Sequence, residues 1–261
     1  MNERWADLAA RLGSALVMVA VGVWAIWMGG HVFHIVVGLI CGLMVWELVR
    51  MLLPEDGRLA IQLGGVAALA VLLAIYLPLL FVAPLLIAPA IVGYTQLPRH
   101  KLLYAGFTVL ILAASYGMMH VRDDLGFGWL VWLVMIVVVT DVAGYFAGRI
   151  FGGPKFWPSI SPKKTWSGTT AGWVGAALIG VFFAVNSGMW GAVLLASIVL
   201  SFSSQMGDIA ESAIKRKMAV KDSSNLIPGH GGVLDRFDGM LGASVAFLVI
   251  ELLFGFPWAA L

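Results

Sequence analysis

The stretch from Ser212 to Asp238 reads SAIKRKMAVKDSSNLIPGHGGVLDRFD and is a polar island in a chain of 261 residues that is 61% hydrophobic. The island carries clustered Lys and Arg side chains, spaced aspartates and a glycine-rich bend from Pro228 to Gly232. Glycine adopts positive φ angles without strain, so the glycines of this bend (Gly229, Gly231 and Gly232) let the backbone approach a ligand closely. Cations and bare amide N–H groups bind phosphates, and aspartates bind Mg²⁺. The island therefore suits a nucleoside triphosphate with its metal ion, the alternative being a solvated positive loop between two membrane helices.

The composition of the whole chain excludes a soluble domain. Only 11% of the residues are charged, which is too few to coat a globule, and the apolar runs have the length of a bilayer crossing. The net charge of +2 is small and no basic tail is present, so we expect membrane lipids as neighbours and no nucleic-acid partner.

Apolar runs of roughly 20 residues, the length that crosses a bilayer as a helix, predict an all-α polytopic integral membrane protein with about nine transmembrane helices. Proline and glycine mark several of the breaks; Pro78 divides the long run from Leu59 to Pro98, which contains no charged residue. The predicted spans are 12–29, 32–53, 59–77, 79–97, 102–120, 128–149, 169–186, 189–210 and 239–256.

The positive charges give an orientation to these spans. With the N-terminus in the cytoplasm and the C-terminus outside, every Lys and Arg except Arg122 falls on the cytoplasmic side, as the positive-inside rule expects. We divide the chain into an N-terminal region of about five spans, 1–127, and a C-terminal catalytic membrane region, 128–261, with cytoplasmic loops 150–168 and 211–238. Glu47, near the cytoplasmic end of the second span, is interpreted as a structural residue that pairs with Arg50.

The spacing of the polar residues in the island resembles the signature of the phosphatidate cytidylyltransferases, also called CDP-diglyceride synthetases. Two upstream segments, at 141–152 and 161–166, resemble the other motifs of that family, so the resemblance covers the chain from about Gly128. One position departs from the pattern, because Ser167 stands where the family usually has an acidic or amide residue. The matching positions are Ser212, Lys215-Arg216, Lys221-Asp222, Pro228-x-His230-Gly231-Gly232, Asp235-Arg236-x-Asp238, Asp141-x-x-x-Tyr145-x-x-Gly148-Arg149-x-x-Gly152 and Ser161-Pro162-Lys163-Lys164-Thr165-Trp166.

The resemblance implies transfer of the cytidylyl group of CTP to phosphatidate, which gives CDP-diacylglycerol and pyrophosphate for phospholipid biosynthesis. It further implies Mg²⁺ as the cofactor, with a second metal ion left open, a homodimer, and a multi-pass protein of the cell (inner or plasma) membrane whose active site faces the cytoplasm.

Carboxylates within membrane helices are costly, so they usually face a polar interior. Asp141 in the sixth span is such a residue, and it shares a helix face with Tyr145 and with Gly144 and Gly148, a pair that lets another helix come close. In the eighth span Asp208, Glu211, Ser212 and Lys215 fall within an arc of about 100°. We predict that Asp208 and Asp235 are joint Mg²⁺ ligands, a pair that the resemblance also implies, with Asp141 and Asp238 as further candidates. The four residues of the eighth span form a polar stripe, and its structural alternative is an internal ion pair between Glu211 and Lys215.

The remaining candidates are assigned by their chemistry. The predicted catalytic residues are Asp208, Asp235, Lys215, Arg236 and Asp238. The predicted substrate-binding residues are Ser212, Arg216, Lys221, Asp222, His230, Gly231, Gly232, Lys163, Lys164, Asp141 and Tyr145.

Two other functions remain as alternatives. A CTP-dependent kinase of polyprenol or another lipid would share the triphosphate, the metal and the topology, but it would transfer the γ-phosphate. A cation-coupled transporter would use Asp141 and Asp208, but it would need polar groups on both sides of the membrane midplane, and here they crowd the cytoplasmic side.

Overall fold

A computed structural model describes residues 2–255, and within them it contains nine long helices and one small hairpin. A 3₁₀ turn, Leu79–Phe81, precedes the fourth helix, and a π-helical turn, Val121–Leu125, follows the fifth. The helices are α1 Asn2–Met28, α2 Gly30–Leu52, α3 Gly57–Tyr76, α4 Val82–Gln96, α5 Lys101–His120, α6 Phe127–Ile150, α7 Trp166–Ser187, α8 Trp190–Lys217 and α9 Leu234–Phe254; the antiparallel strands are β1 Lys155–Trp157 and β2 Ser161–Thr165.

All nine helices of the described residues are long and apolar enough to cross a membrane, which confirms the predicted fold class. The main differences lie at α1, which begins at Asn2 rather than 12, and at the polar island. Helix α8 continues to Lys217, beyond the predicted end at 210, and α9 already begins at Leu234 rather than 239. Hydropathy locates the apolar part of a helix, whereas these two helices extend further with polar residues. The predicted end of the ninth span at 256 and the C-terminus lie outside the described residues, and the orientation of the termini stays a prediction.

The chain forms two compact units, one made of Met1–His120 with Met218–Phe237 and the other of Val121–Lys217 with Asp238–Leu261. The segment between α8 and α9, residues 218–233, is called the signature loop below. It belongs to the same compact unit as the N-terminal helices, whereas the sequence-based division assigns it to the region 128–261.

In the first unit, helices α2, α3 and α5 bury the largest share of their residues. Helices α2 and α3 touch at Gly42 and Gly64, where a Cβ on either residue would meet the backbone oxygen of the other. Asp56 starts α3 by accepting a hydrogen bond from the Leu59 amide at 2.9 Å, as a helix N-cap does. Small residues thus let these helix backbones approach, as is common for membrane helices.

In the second unit, α6 packs against α7 and α8. Gly144 of α6 meets Gly168 of α7 backbone to backbone, which confirms the close approach predicted from the glycine pair in α6. Helix α6 is joined to α8 by a hydrogen bond between the Thr140 and Ser201 hydroxyls, 2.7 Å apart. The hairpin of β1 and β2 leads directly into α7, whose N-terminus is capped by the Thr165 side chain. These contacts position the polar residues at the ends of α6, α7 and α8.

Candidate active site

The signature loop contains a tight turn at its glycine-rich bend. The His230 amide donates to the Ile227 carbonyl at 2.9 Å, and the Ile227 amide donates to the Gly231 carbonyl at 2.8 Å. Pro228 and Gly229 occupy the two central positions, and Gly229 has a φ of 73°, as the third residue of a type II turn requires. Gly231 also has a positive φ, of 83°. The sequence predicted this conformational freedom at both residues.

Gly232 is needed for a different reason. Its φ is not positive, but a Cβ at this position would overlap the hydroxyl of Ser223 and lie 2.5 Å from the carboxylate of Glu47. The backbone of Gly232 therefore passes directly over these side chains. The close approach that the absence of a Cβ allows here is to Ser223 and Glu47 of the protein itself.

Asp235 closes the loop on itself. Its Oδ2 atom accepts hydrogen bonds from the Ser223 amide at 2.8 Å, the Ser223 hydroxyl at 2.9 Å and the Gly232 amide at 2.7 Å. The carboxylate thus ties the start of the loop to its end. A role of Asp235 as a metal ligand stays a prediction.

His230 and Arg236 also take part in the loop's internal bonding. The Arg236 guanidinium donates twice to the His230 carbonyl, at 3.1 and 2.8 Å. The His230 Nδ1 atom lies 2.8 Å from the hydroxyl of Ser14 in α1, and that hydroxyl is also 3.0 Å from the Pro228 carbonyl. The first helix therefore contacts the turn that carries the histidine.

Glu47 of α2 is fully buried and is bonded to the signature loop, so the predicted pairing with Arg50 is wrong. Arg50 instead donates to the Pro54 carbonyl at 2.7 Å. The Glu47 carboxylate accepts from two loop hydroxyls and from the amides of Val233 and Leu234 at the start of α9. A carboxylate within a membrane helix indicates a polar interior. The partners of Glu47, however, lie about 180 residues further along the chain, and the sequence pattern does not predict them.

The second unit contains a cavity of about 440 Å³, a volume within the usual range for small-molecule sites. Its polar walls come from α6, the β2 strand, the start of α7 and the inner part of α8. Several predicted substrate-binding residues line it together, and so do Arg149, Thr169 and Gln205, which were not among the predicted site residues. The predicted residues on the wall are Asp141, Tyr145, Lys163, Lys164 and Asp208.

Lysine ammonium groups and carboxylates meet at this cavity. The Lys164 Nζ atom forms an ion pair with Asp208 Oδ2 and lies 3.4 Å from the Gln205 carbonyl. On the α6 wall, the Arg149 guanidinium donates to the Tyr145 hydroxyl at 2.8 Å. The cavity therefore combines the two kinds of group that a triphosphate with a divalent cation requires.

Three carboxylates of the second unit form a cluster, called the carboxylate cluster below: Asp208, Glu211 and Asp238. One oxygen from each lies within 4.8 Å of the others. Hard oxygen donors at this separation match the ligand preference of Mg²⁺, so the donor set fits the cofactor that the sequence predicted. Of the predicted metal ligands, Asp208 and Asp238 belong to the cluster, and Asp141 lines the same cavity wall as Asp208. Glu211 was not predicted as a ligand, although it lies on the same polar stripe as Asp208.

The polar stripe of α8 is bonded internally. Lys215 Nζ lies 2.6 Å from a Glu211 oxygen, which confirms the structural alternative for this pair. The Ser212 hydroxyl donates to Asp208 Oδ1 at 3.2 Å. Lys215 is largely buried, so its predicted contact with a substrate phosphate stays a prediction that requires this pair to open. The other predicted polar residues of this region, Arg216, Lys221 and Asp222, are exposed.

Ser167, the position at which the sequence departs from the family pattern, lies in the first turn of α7. Its hydroxyl donates to the Gly152 carbonyl and lies 3.0 Å from the Thr165 hydroxyl. The side chain thus joins the start of α7 to the glycine that follows α6.

Comparison with known proteins identifies the family to which the chain is similar. The model of the cytidylyltransferase family matches residues 9–254. A phosphatidate cytidylyltransferase of Brucella suis is 35% identical over 266 aligned positions, which cover 96% of this chain and 96% of that protein. A phosphatidate cytidylyltransferase of Mycobacterium bovis is 38% identical over 146 residues, which cover 54% of this chain and 47% of that protein. One of Staphylococcus haemolyticus is 34% identical over 161 residues, or 58% of this chain and 61% of that protein. The resemblance found in the sequence is therefore confirmed, and the chain belongs to the cytidylyltransferase family.

Proposed function

We propose that this protein is a phosphatidate cytidylyltransferase, which transfers the cytidylyl group of CTP to phosphatidate and releases pyrophosphate. The full-length similarity to proteins of that name supports the proposal. The observation that carries it is the cavity of the second unit, in which lysines of β2 and carboxylates of α6 and α8 line one space. A lipid substrate would explain why an enzyme that uses a nucleotide consists almost entirely of membrane helices.

The reaction needs no covalent enzyme intermediate, because phosphatidate already carries a nucleophilic phosphate oxygen. That oxygen attacks the α-phosphorus of CTP, the bond between the α-phosphorus and its bridging oxygen breaks, and pyrophosphate leaves. The protein has to hold both phosphate groups in line and to neutralise their charge. The lipid tails stay in the bilayer while the headgroup reaches the site.

Lys163 and Lys164 are the cations of β2 on the cavity wall, and they hold phosphate oxygens in this proposal. Lys164 is paired with Asp208, so binding of a phosphate group exchanges one anionic partner of the lysine for another. Arg149 on α6 provides a further positive charge on the same wall. Strong binding by such groups is expected where the site excludes water.

Asp208, Glu211 and Asp238 would hold Mg²⁺, with Asp141 as a further candidate and Asp235 as the ligand that the sequence predicts from the signature loop. When bound, Mg²⁺ supplies neutralisation of the triphosphate oxygens and of the leaving pyrophosphate. The turn around His230 in the loop and the exposed Arg236 in the first turn of α9 are assigned to the nucleotide phosphates.

The protein is a multi-pass membrane protein. In our proposal it lies in the cell membrane with its N-terminus and the signature loop in the cytoplasm, where CTP is available, and it functions as a homodimer. Reporter fusions after Lys101 and Lys221 should report a cytoplasmic location and a fusion at Asp124 an external one. The opposite result would overturn this orientation.

The decisive experiment supplies the purified protein with phosphatidate, Mg²⁺ and CTP labelled at either the α- or the γ-phosphate. We expect the α-label to enter chloroform-soluble lipid and an equal amount of pyrophosphate to be released. Entry of the γ-label into lipid would instead identify a lipid kinase, and no transfer of either label would leave the transporter alternative.

A further inference from the structure

We propose that Glu47 is a positioning residue for the transfer reaction: from the second membrane helix, its carboxylate holds the signature loop in its working conformation. The proposal rests on the proposed function, because it assigns a role in that reaction to a residue outside the three motifs in which the sequence resembles the family. Glu47 itself binds no substrate in this proposal. It acts through His230 of the loop and through Asp235 and Arg236, which follow the loop in the first turn of α9.

Four donors converge on the Glu47 carboxylate. Oε1 accepts from the Ser224 hydroxyl at 2.6 Å and from the Val233 amide at 2.8 Å. Oε2 accepts from the Leu234 amide at 2.7 Å and lies 3.2 Å from the Ser223 hydroxyl. The residue is fully buried, and its contacts extend from the beginning of the loop to the start of α9.

The pattern of donors suits a carboxylate and not an amide. Both oxygens act as acceptors, and each faces one backbone N–H and one hydroxyl. An amide in the same place would turn an NH₂ group toward one of these N–H groups, so a donor would face a donor. The Leu234 amide belongs to the first turn of α9 and the Val233 amide directly precedes it; at this end a helix leaves its N–H groups without internal partners and favours a negative charge. Glu47 therefore fixes both the loop and the point at which α9 begins.

Ser223 connects Glu47 to Asp235. Its hydroxyl lies 3.2 Å from Glu47 Oε2 and 2.9 Å from Asp235 Oδ2, and its amide donates to the same Asp235 oxygen. Gly232 fits closely against this group, since a Cβ there would overlap both Ser223 and Glu47. A shift of the Glu47 carboxylate would therefore displace the segment that orients Asp235.

The loop depends on these bonds because it has little apolar packing of its own. Of its larger hydrophobic side chains only Val233 is buried; Met218, Val220 and Ile227 are half-buried and Leu226 is exposed. Segments with few buried apolar contacts open easily, and their shape is then set by hydrogen bonds. The single buried acceptor that takes four of those bonds is the group whose loss should change the loop most.

The test replaces Glu47 with glutamine in the full-length protein. Two controls are matched to it: Glu55→Gln removes a carboxylate of the same unit that pairs with Arg99 at the surface, and Leu48→Ala removes fully buried packing next to Glu47. Three quantities are measured for each: the melting temperature, the rate of CDP-diacylglycerol synthesis at a temperature where every variant is folded, and amide hydrogen exchange in the peptide 223–234.

We expect Glu47→Gln to lower kcat on the order of 100-fold, the loss typical of misplaced reacting groups, and to accelerate exchange in the peptide 223–234. Leu48→Ala should lower the melting temperature while both kcat and the exchange of that peptide stay within twofold. Glu55→Gln should change none of the three. Should Glu47→Gln not fold, the double variant Ser223→Ala with Ser224→Ala removes the hydroxyl donors from the loop side. It should lower kcat about tenfold, as the loss of residues that orient an active group does.

The proposal is overturned if Glu47→Gln keeps normal kcat and normal exchange, or if its kcat falls only in proportion to the fraction unfolded. Wild-type kinetics and exchange in the double serine variant would overturn it too. A wild-type protein that makes no CDP-diacylglycerol would contradict the proposed function instead. The exchange data would then still decide whether Glu47 holds the loop.

Discussion

At the signature loop, the carboxylates of Glu47 in α2 and Asp235 in α9 accept hydrogen bonds from backbone amides and serine hydroxyls. In the second unit, those of Asp208 and Glu211 face lysine ammonium groups instead. Asp208, Glu211 and Asp238 also lie within 4.8 Å of one another. Backbone amides stay in place when a ligand arrives, while lysine side chains can move to another anion. The first arrangement fixes a conformation, and the second can exchange its partners for a metal ion or a phosphate.

The difference shows how the chain separates rigidity from chemistry. A loop that bends through Pro228 and Gly229 has no regular secondary structure to hold it, so buried acceptors replace the missing backbone pairs. The carboxylate cluster, by contrast, brings like charges together, which is unfavourable until a cation joins them. Substitutions around the loop should therefore impair its conformation, whereas substitutions in the carboxylate cluster should impair the binding of a cation.

The largest effect is expected from Asp208→Asn, which keeps the shape of the side chain and removes one charge from the carboxylate cluster. Turnover should fall by about 10²- to 10³-fold, as it does when one group that stabilises a charged transition state is lost. Synthesis of CDP-diacylglycerol measured over a range of Mg²⁺ concentrations tests this, with Lys217→Gln at the exposed end of α8 as the control. Near-normal turnover at low Mg²⁺ would contradict the assignment.

A somewhat smaller effect, a loss of roughly 100-fold, is expected from Asp235→Asn. Its three hydrogen bonds from Ser223 and Gly232 converge on one oxygen, and the carbonyl oxygen of asparagine can keep them. Hydrogen exchange in the loop should therefore stay near the wild-type rate while activity falls, the reverse of what a purely structural carboxylate would give. Accelerated exchange in proportion to the loss of activity would show that Asp235 only closes the loop.

The smallest effect is expected from Gly232→Ala, which should lower activity about tenfold by forcing Ser223 and Glu47 apart. The added methyl group overpacks a tight site, and such changes cost about 1–3 kcal/mol. Gly65→Ala is the matched control, because a Cβ on Gly65 meets nothing within 4 Å and alanine favours the helix. Melting temperature and activity of both variants, measured together, check the prediction; equal behaviour of the two would refute the close approach at Gly232.

The sequence by itself determined the number of spans, their approximate limits and the identity of the polar island. Apolar length and the breaks at residues such as Pro78 are local properties, and a bilayer forces every apolar run of that length into a helix. The turn at Pro228 and Gly229 was equally readable, because its φ angles depend on those residues alone. The close contact of α6 with α7 at Gly144 was predictable because Gly144 and Gly148 are four residues apart and therefore lie on one face of the helix.

Only the tertiary structure decided which groups the polar residues bind. Glu47 and Ser223 are separated by 176 positions in the chain, and no periodicity relates a carboxylate in α2 to a hydroxyl in the signature loop. Glu211 and Asp238 likewise become neighbours through packing of α8 and α9 in the second unit. Residue type states which bonds a side chain can make, but the partner that satisfies a buried charge is chosen by the way in which distant helices pack.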